Sequence, residues 1–230
     1  MRILAVDTST WWGGVALVES HEPGGVTAEL GLHVGQTHAS ALLCGIERLL
    51  AVAGWSRSSL DGYVATRGPG SFTGIRVGLG TIMGLGVATD RPCAGVNTLD
   101  AIAAAHGPTV ADRLVLIGAG RGELFGAPYE AASSPPQVIE GPWVDSPEAI
   151  VSRAAAGPRA IAIPAPGTEA LLRGSGFRDA GIPISASPRS VAAAAGQLAL
   201  ANGVLDDDSA ESLSPLYLRP PDAVLKPAPR

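Results

Sequence analysis

The sequence predicts an α/β protein of two similar lobes, each a mixed sheet flanked by helices. Three features predict it. The chain opens with three strand-like apolar runs joined by short polar turns. Helix and strand patterns then alternate, and the same order restarts near residue 110. A length of 230 residues suits one large domain or two small ones. The halves share no residue-level repeat, so the division rests on the order of patterns.

Ile3 to Val6 is an apolar run that ends at Asp7 and the polar turn Thr8-Ser9-Thr10. Gly14 to Val18 and the weakly alternating Val26 to His33 complete an antiparallel start. Thr37 or Ser40 caps a helix that carries Leu42, Leu43, Ile46, Leu49, Leu50 and Ala53 at helical spacing, and Gly54 stops it. Tyr63 to Thr66 is the next strand, followed by the loop Arg67-Gly68-Pro69-Gly70-Ser71 and a helix from Thr73 to Ala88. Pro92 to Val96 reads as a strand and Leu99 to Ala105 as a helix. In the second half Leu114 to Ile117 pairs with Gly122 to Tyr129, and Ser146-Pro147-Glu148 starts a helix with proline at its first position. Ala160 to Ile163 is a strand, Thr168 to Arg173 a short helix and Ile182 to Ser185 a strand, and Ser187-Pro188 opens a last helix through Ala201. From Pro220 the tail is proline-rich and expected to be loose.

Composition narrows the function. A hydrophobic fraction of 46% excludes a wholly disordered chain. The net charge of −5 argues against independent binding of nucleic acid, which needs clustered cations to displace counterions. Cys44 and Cys93 form no disulfide or metal framework and read as small buried side chains in a reducing compartment. The longest apolar stretch, Val77 to Ala88, has 12 residues against the roughly 20 of a membrane span, and no leader pattern stands at the start. The expectation is a soluble, cytoplasmic protein with no membrane contact.

Asp7-Thr8-Ser9 could hold a metal-bound phosphate, as hairpin phosphate loops do, or could satisfy the backbone of its own turn. Arg67-Gly68-Pro69-Gly70-Ser71-Phe72-Thr73-Gly74 joins strand to helix, but without the lysine of a Walker loop, since Lys226 is the only lysine. In the following helix Gly74, Gly78, Thr81 and Ala88 form a stripe with Leu85 among them. Each interior glycine costs a helix about 1 kcal/mol against alanine. Close packing must return that cost, either on the chain's own sheet or on a partner's helix. The histidines at 21, 33, 38 and 106 show no metal-ligand spacing, and His33 and His38 read as helix-start residues. Glu123 reads as an isolated carboxylate and Asp206-Asp207-Asp208 as a solvated loop, and no catalytic set emerges.

The blocks ILAVDTST, THASALL, ATRGPGSFTGIRVGLGTIMGLGVA, GRGELFGAPYE and PLYLRP together resemble the TsaB family, the bacterial YeaZ-type partners of the TsaD transferase. The resemblance spans nearly the whole chain and implies the two-lobed fold of actin, Hsp70 and sugar kinases. The lobes then fall at 1–105 and 106–218, the last helix (about 188–201) is able to pack back on the first lobe, and 219–230 is a flexible tail. The implied role is that of a non-catalytic subunit in making threonylcarbamoyladenosine in tRNA. It would bind and activate TsaD as a heterodimer and join TsaE in a ternary complex. Alone it would form a homodimer, and it would meet tRNA only indirectly, with no cofactor and no metal. The metal-binding histidine pair of TsaD corresponds to Thr98 and Ile102 here, and Ile offers no lone pair. Relatives usually carry Asp where this chain has Gly118.

The resemblance further implies a partner interface on the first-lobe helices, assigned to Leu42, Ile46, Leu49, Gly74, Gly78, Thr81 and Leu85, with Asp7, Thr8 and Ser9 as a vestigial phosphate loop. Gly78→Leu is then expected to leave the chain folded but weaken its co-purification with TsaD. The alternative is a small ATPase or kinase of the same superfamily. It would need phosphate loops in both lobes, and the second lobe offers only Gly118-Ala119-Gly120-Arg121.

Overall fold

A computed structural model describes residues 1–20, 25–33, 39–156, 160–165, 167–206 and 213–219. The first sheet contains β1 (Arg2–Asp7), β2 (Trp12–Glu19), β3 (Val26–His33), β4 (Gly62–Gly68) and β5 (Cys93–Asn97), in the order β3-β2-β1-β4-β5. β1 pairs antiparallel with β2 and parallel with β4, in the register Asp7↔Gly14 and Val6↔Ala65. The second sheet contains β6 (Asp112–Gly120), β7 (Glu123–Tyr129), β8 (Trp143–Asp145) and β9 (Ala160–Pro164), in the order β8-β7-β6-β9. β6 is antiparallel to β7 and parallel to β9, which repeats the arrangement around β1.

Six helices flank the sheets among the described residues: α1 (Ala39–Ala53), α2 (Phe72–Thr89), α3 (Thr98–His106), α4 (Pro147–Ala156), α5 (Glu169–Leu172) and α6 (Ala192–Asn202). β1 is apolar at consecutive positions because both its faces are covered. Leu4 and Val6 pack with Leu42, Ile46, Leu49 and Leu50 of α1 and Ile75, Leu79 and Ile82 of α2. Ile3 and Ala5 face a core that also takes in Leu99 and Ile102 of α3, Val115 and Ile117 of β6, and Ala192, Ala195 and Leu198 of α6. The two sheets therefore share one core through α3 and α6. Behind the second sheet Leu114 and Leu116 pack on Ile150, Leu172 and Phe177.

Several elements differ from the sequence reading. The last helix starts at Ala192, not at Pro188, and Ser190 Oγ accepts from Ala192 N at 3.3 Å. Ser190 also packs against Gly14, where a Cβ would leave it no room, and this holds residues 188–191 outside the helix. Ile182–Ser185 forms a single parallel bridge, Ala162↔Ile184, rather than a strand. Trp143–Asp145, which has no strand pattern in the sequence, is a short strand antiparallel to β7. Cys44 is exposed and Cys93 half-buried, both as free thiols. His33 ends β3 with its ring edge-on to Trp12 at 4.9 Å, so it does not open a helix. Thr37, His21, His38, Asp207, Asp208 and residues 220–230 lie outside the described residues.

α2 is, by length and composition, apolar enough to cross a membrane, yet Ile75, Gly78, Leu79, Ile82 and Gly86 are buried in the protein. Arg113 is fully buried: its guanidinium donates to the carbonyls of Ala103, Gly107, Glu130 and Ser133. It thereby ties the end of α3 to the loop after β7. α6 approaches the first sheet through Gly196, where a Cβ would stand 2.8 Å from Val18 Cγ2 and 3.2 Å from Ala5 Cβ. Gly196→Val is expected to lower stability by about 1–3 kcal/mol through overpacking, measured by urea unfolding of the isolated chain.

Candidate functional site: a hairpin turn locked to a glycine-rich loop

Asp7 ends β1, and its side chain is 1% exposed. Its Oδ1 accepts from Ser9 N at 3.0 Å, Ser9 Oγ at 2.6 Å and Thr66 Oγ1 at 2.7 Å. The carboxyl group also accepts the backbone N–H of Val191 at the start of α6. One side chain thus joins the β1–β2 turn, β4 and the last helix. Burial pushes the Asp7 pKa up, and the donors from Ser9, Thr66 and Val191 act against that rise.

The turn is clasped from the other side by the loop before α2. Ser71 N donates to the Ser9 carbonyl at 2.7 Å, and Thr8 Oγ1 donates to the Gly74 carbonyl at 2.7 Å. Ser71 caps α2, its Oγ accepting from Gly74 N at 3.2 Å. The backbones touch so closely that a Cβ at Gly70 would collide with the Ser9 carbonyl, and one at Gly74 with the Thr8 carbonyl. A Cβ at Gly78 would collide with the Thr8 hydroxyl. The hydroxyl protons of Thr8 and Ser9 are therefore spent on Gly74 and Asp7, inside the chain. The turn acts as an internal joint more than as an open phosphate cradle.

Of the residues named for a partner interface, Leu42, Ile46, Leu49 and Gly78 are buried, and Gly74, Thr81 and Leu85 are half-buried. Leu42, Ile46 and Leu49 are 2%, 2% and 6% exposed and form the core under the first sheet. Gly74 and Gly78 are spaced for Thr8, so Gly78→Leu would strike the chain's own turn and its folded state would not survive unchanged. Thr81 is half-buried and donates back to the Val77 carbonyl at 2.7 Å, and Leu85 packs at the edge of the same core. The open face of α2 carries Gly80 and Gly84, with no described residue near either Cβ position, and the exposed side chains Met83 and Val87. Leu43 and Val52 are exposed on α1. The spacing 80, 83, 84, 87 was readable as a second stripe, but the sequence does not mark which stripe faces the sheet.

In the second sheet the turn from β6 to β7 is also occupied from within. Arg219 donates to Glu123 and to the Ala119 carbonyl, so Glu123 is not isolated and Arg219 is not part of a loose tail. Gly118 donates its N–H to Thr168 Oγ1 at 3.1 Å. Thr98 and Ile102 are buried in α3. Tyr129 donates to Asp100 at 2.6 Å, and burial raises the Asp100 pKa against that bond and the charge of Arg67.

The Asp7 geometry has a pH signature. A carboxyl whose pKa is higher in the folded than in the unfolded chain holds its proton more tightly when folded, so stability is lost as pH rises through that window. Asp7→Asn removes this titration. The wild-type Tm minus the variant Tm is expected to fall as pH rises from about 4 to about 7. A difference independent of pH would contradict the buried-carboxyl reading.

The family model described as TsaD, tRNA N6-adenosine threonylcarbamoyltransferase, matches residues 17–208. The tRNA threonylcarbamoyladenosine biosynthesis protein TsaB of Escherichia coli K12 is 37% identical over 132 residues, 56% of this chain and 55% of that one. The chain spans about half the length of the curated relatives it matches. The crystal structure of YeaZ from Pseudomonas aeruginosa superposes with a TM-score of 0.73 at 25% identity, covering 94% of this chain and 99% of that one. Component A of (R)-2-hydroxyglutaryl-CoA dehydratase from Acidaminococcus fermentans matches at a TM-score of 0.55 and 11% identity over 88% and 98% of the two chains, a likeness of fold alone. The fold, two mixed sheets flanked by helices, is that of YeaZ. The chain belongs to the TsaB/YeaZ family, a branch of the wider family that the TsaD model describes.

Proposed function

We propose that this chain is a non-catalytic subunit in the biosynthesis of threonylcarbamoyladenosine in tRNA, one that binds and activates a TsaD-type transferase and joins TsaE in a ternary complex. The observation that carries the proposal is the outer face of α2. Gly80 and Gly84 lie on it with no described residue near their Cβ positions, beside the exposed Met83 and Val87. Glycine in a helix interior costs about 1 kcal/mol against alanine, and at these two positions no contact with a described residue offsets the cost. A partner helix crossing there could approach closely and cover both apolar side chains. The same face serves a homodimer when the transferase is absent.

Membership in the TsaB/YeaZ family supports the pathway, and the TsaD model's match is what a paralogue would give. The net charge of −5 supports leaving tRNA contact to the partners, and a cytoplasmic site, where tRNA is modified, follows from the proposal. Thr8 and Ser9 donate inward, which supports an accessory subunit over an ATPase or kinase of the same fold.

Reconstitution tests the proposal. With TsaD, TsaE, tRNA and threonylcarbamoyl-AMP present, omitting this chain is expected to abolish most modification, read by mass spectrometry of tRNA nucleosides. Modification that proceeds equally well without the chain would refute it, as would ATP turnover by the chain alone.

A further inference from the structure

The segment 213–219 reaches both sheets. Leu213 packs at the edge of the first-lobe core. Leu216 N donates to the Arg67 carbonyl at 2.7 Å, at the start of the loop that clasps the Asp7 turn. That loop is shaped for the contact: Gly68 has φ +114°, and a Cβ there would stand 2.5 Å from the Leu216 carbonyl oxygen. Tyr217 stacks on Phe72 at 5.0 Å between ring centroids, and Arg76 Nε donates to its hydroxyl at 2.9 Å. Leu218 lies against the core shared by the two sheets. Arg219 then donates to Glu123 and to the Ala119 carbonyl, at the turn between β6 and β7.

Contacts at both ends and thin burial between them distinguish this segment from a core element. None of residues 213–219 is buried; each is half-buried or exposed. On the first-lobe side it is held by the Leu216–Arg67 backbone hydrogen bond, the stack of Tyr217 on Phe72, the hydrogen bonds from Arg76 to Tyr217 and from Arg67 to Ser214, and the edge packing of Leu213, and on the second-lobe side by the Arg219 guanidinium. Contacts of this kind open locally far below the free energy of global unfolding. The two loops it joins descend from corresponding turns of the two sheets, β1–β2 through its clasp and β6–β7 directly.

We propose that residues 213–219 form a latch that couples the loop Arg67–Ser71 to the turn Gly118–Glu123, so that freeing one end loosens both. The latch does not depend on the proposed pathway, because its contacts lie within the chain. It makes the C-terminal segment a control point for the relative setting of the lobes, which a partner or ligand could release by competing for Arg219.

Amide hydrogen exchange on the full chain, resolved by peptide, tests the coupling. In Arg219→Ala the amides of residues 118–123 and those of Arg67, Gly68, Gly70, Ser71 and Leu216 are expected to exchange at least ~5-fold faster, with those of β1, of Tyr63–Thr66 in β4 and of Arg113–Ile117 in β6 unchanged. Acceleration confined to 118–123 would overturn the latch. Should the variant loosen the whole chain, the wild type in about 0.5 M salt replaces it, since screening weakens the half-exposed Arg219–Glu123 pair. The same paired acceleration is then expected, and acceleration at one end alone, or none, would overturn it.

Discussion

The structure hangs on the backbone contact between the β1–β2 turn and the start of α2. Three glycines, at 70, 74 and 78, let the loop and the helix lie directly on the carbonyl groups of Thr8 and Ser9 and on the Thr8 hydroxyl. That contact commits the polar groups of the turn, while the buried Asp7 carboxyl takes Thr66 of β4 and the Val191 N–H just before α6. The chain's middle and its last helix are thereby tied to its first strand. Local propensity would not favour a helix with so many glycines; tertiary packing does.

α2 therefore carries two kinds of glycine. Those on the inner face are explained within the chain, because a side chain would collide with the turn at Gly74 and Gly78 and with Cys93 and the Arg91 carbonyl at Gly86. Those on the outer face, Gly80 and Gly84, meet nothing among the described residues. A composition rich in alanine and glycine hides this distinction, since both kinds look alike in a list of residues. The same economy of side chain operates in α6, where Gly196 and the alanines bring helix and sheet together.

Much of the fold was legible in the sequence because its signals are local. The run Ile3–Val6, the helical spacing of Leu42, Ile46 and Leu49, and Pro147 at a helix start each report their own element. What was not legible depends on residues far apart in the chain. Arg219 meets Glu123 and Ala119, and Ser190 meets Gly14, without any trace in either local segment. The three-residue strand β8 is too short to show a period, and Ile182–Ser185 has the strand pattern but only one bridge to hold it. The site was half legible: the Asp7 turn and the glycine loop stood out, but helical spacing defines stripes without saying which one meets the sheet. Spacing alone therefore does not separate the buried Leu42, Ile46 and Gly78 from residues that face a partner.

The central claim, that the inner glycines serve the fold and the outer ones serve a partner, is tested most directly by comparing Gly78→Leu with Gly84→Leu. For each variant the Tm of the isolated chain and its co-purification with TsaD are measured side by side. The account predicts a lowered Tm for Gly78→Leu, and for Gly84→Leu a Tm close to wild type with co-purification lost. A Gly78→Leu chain as stable as wild type, or a Gly84→Leu chain that still binds TsaD fully, would contradict it.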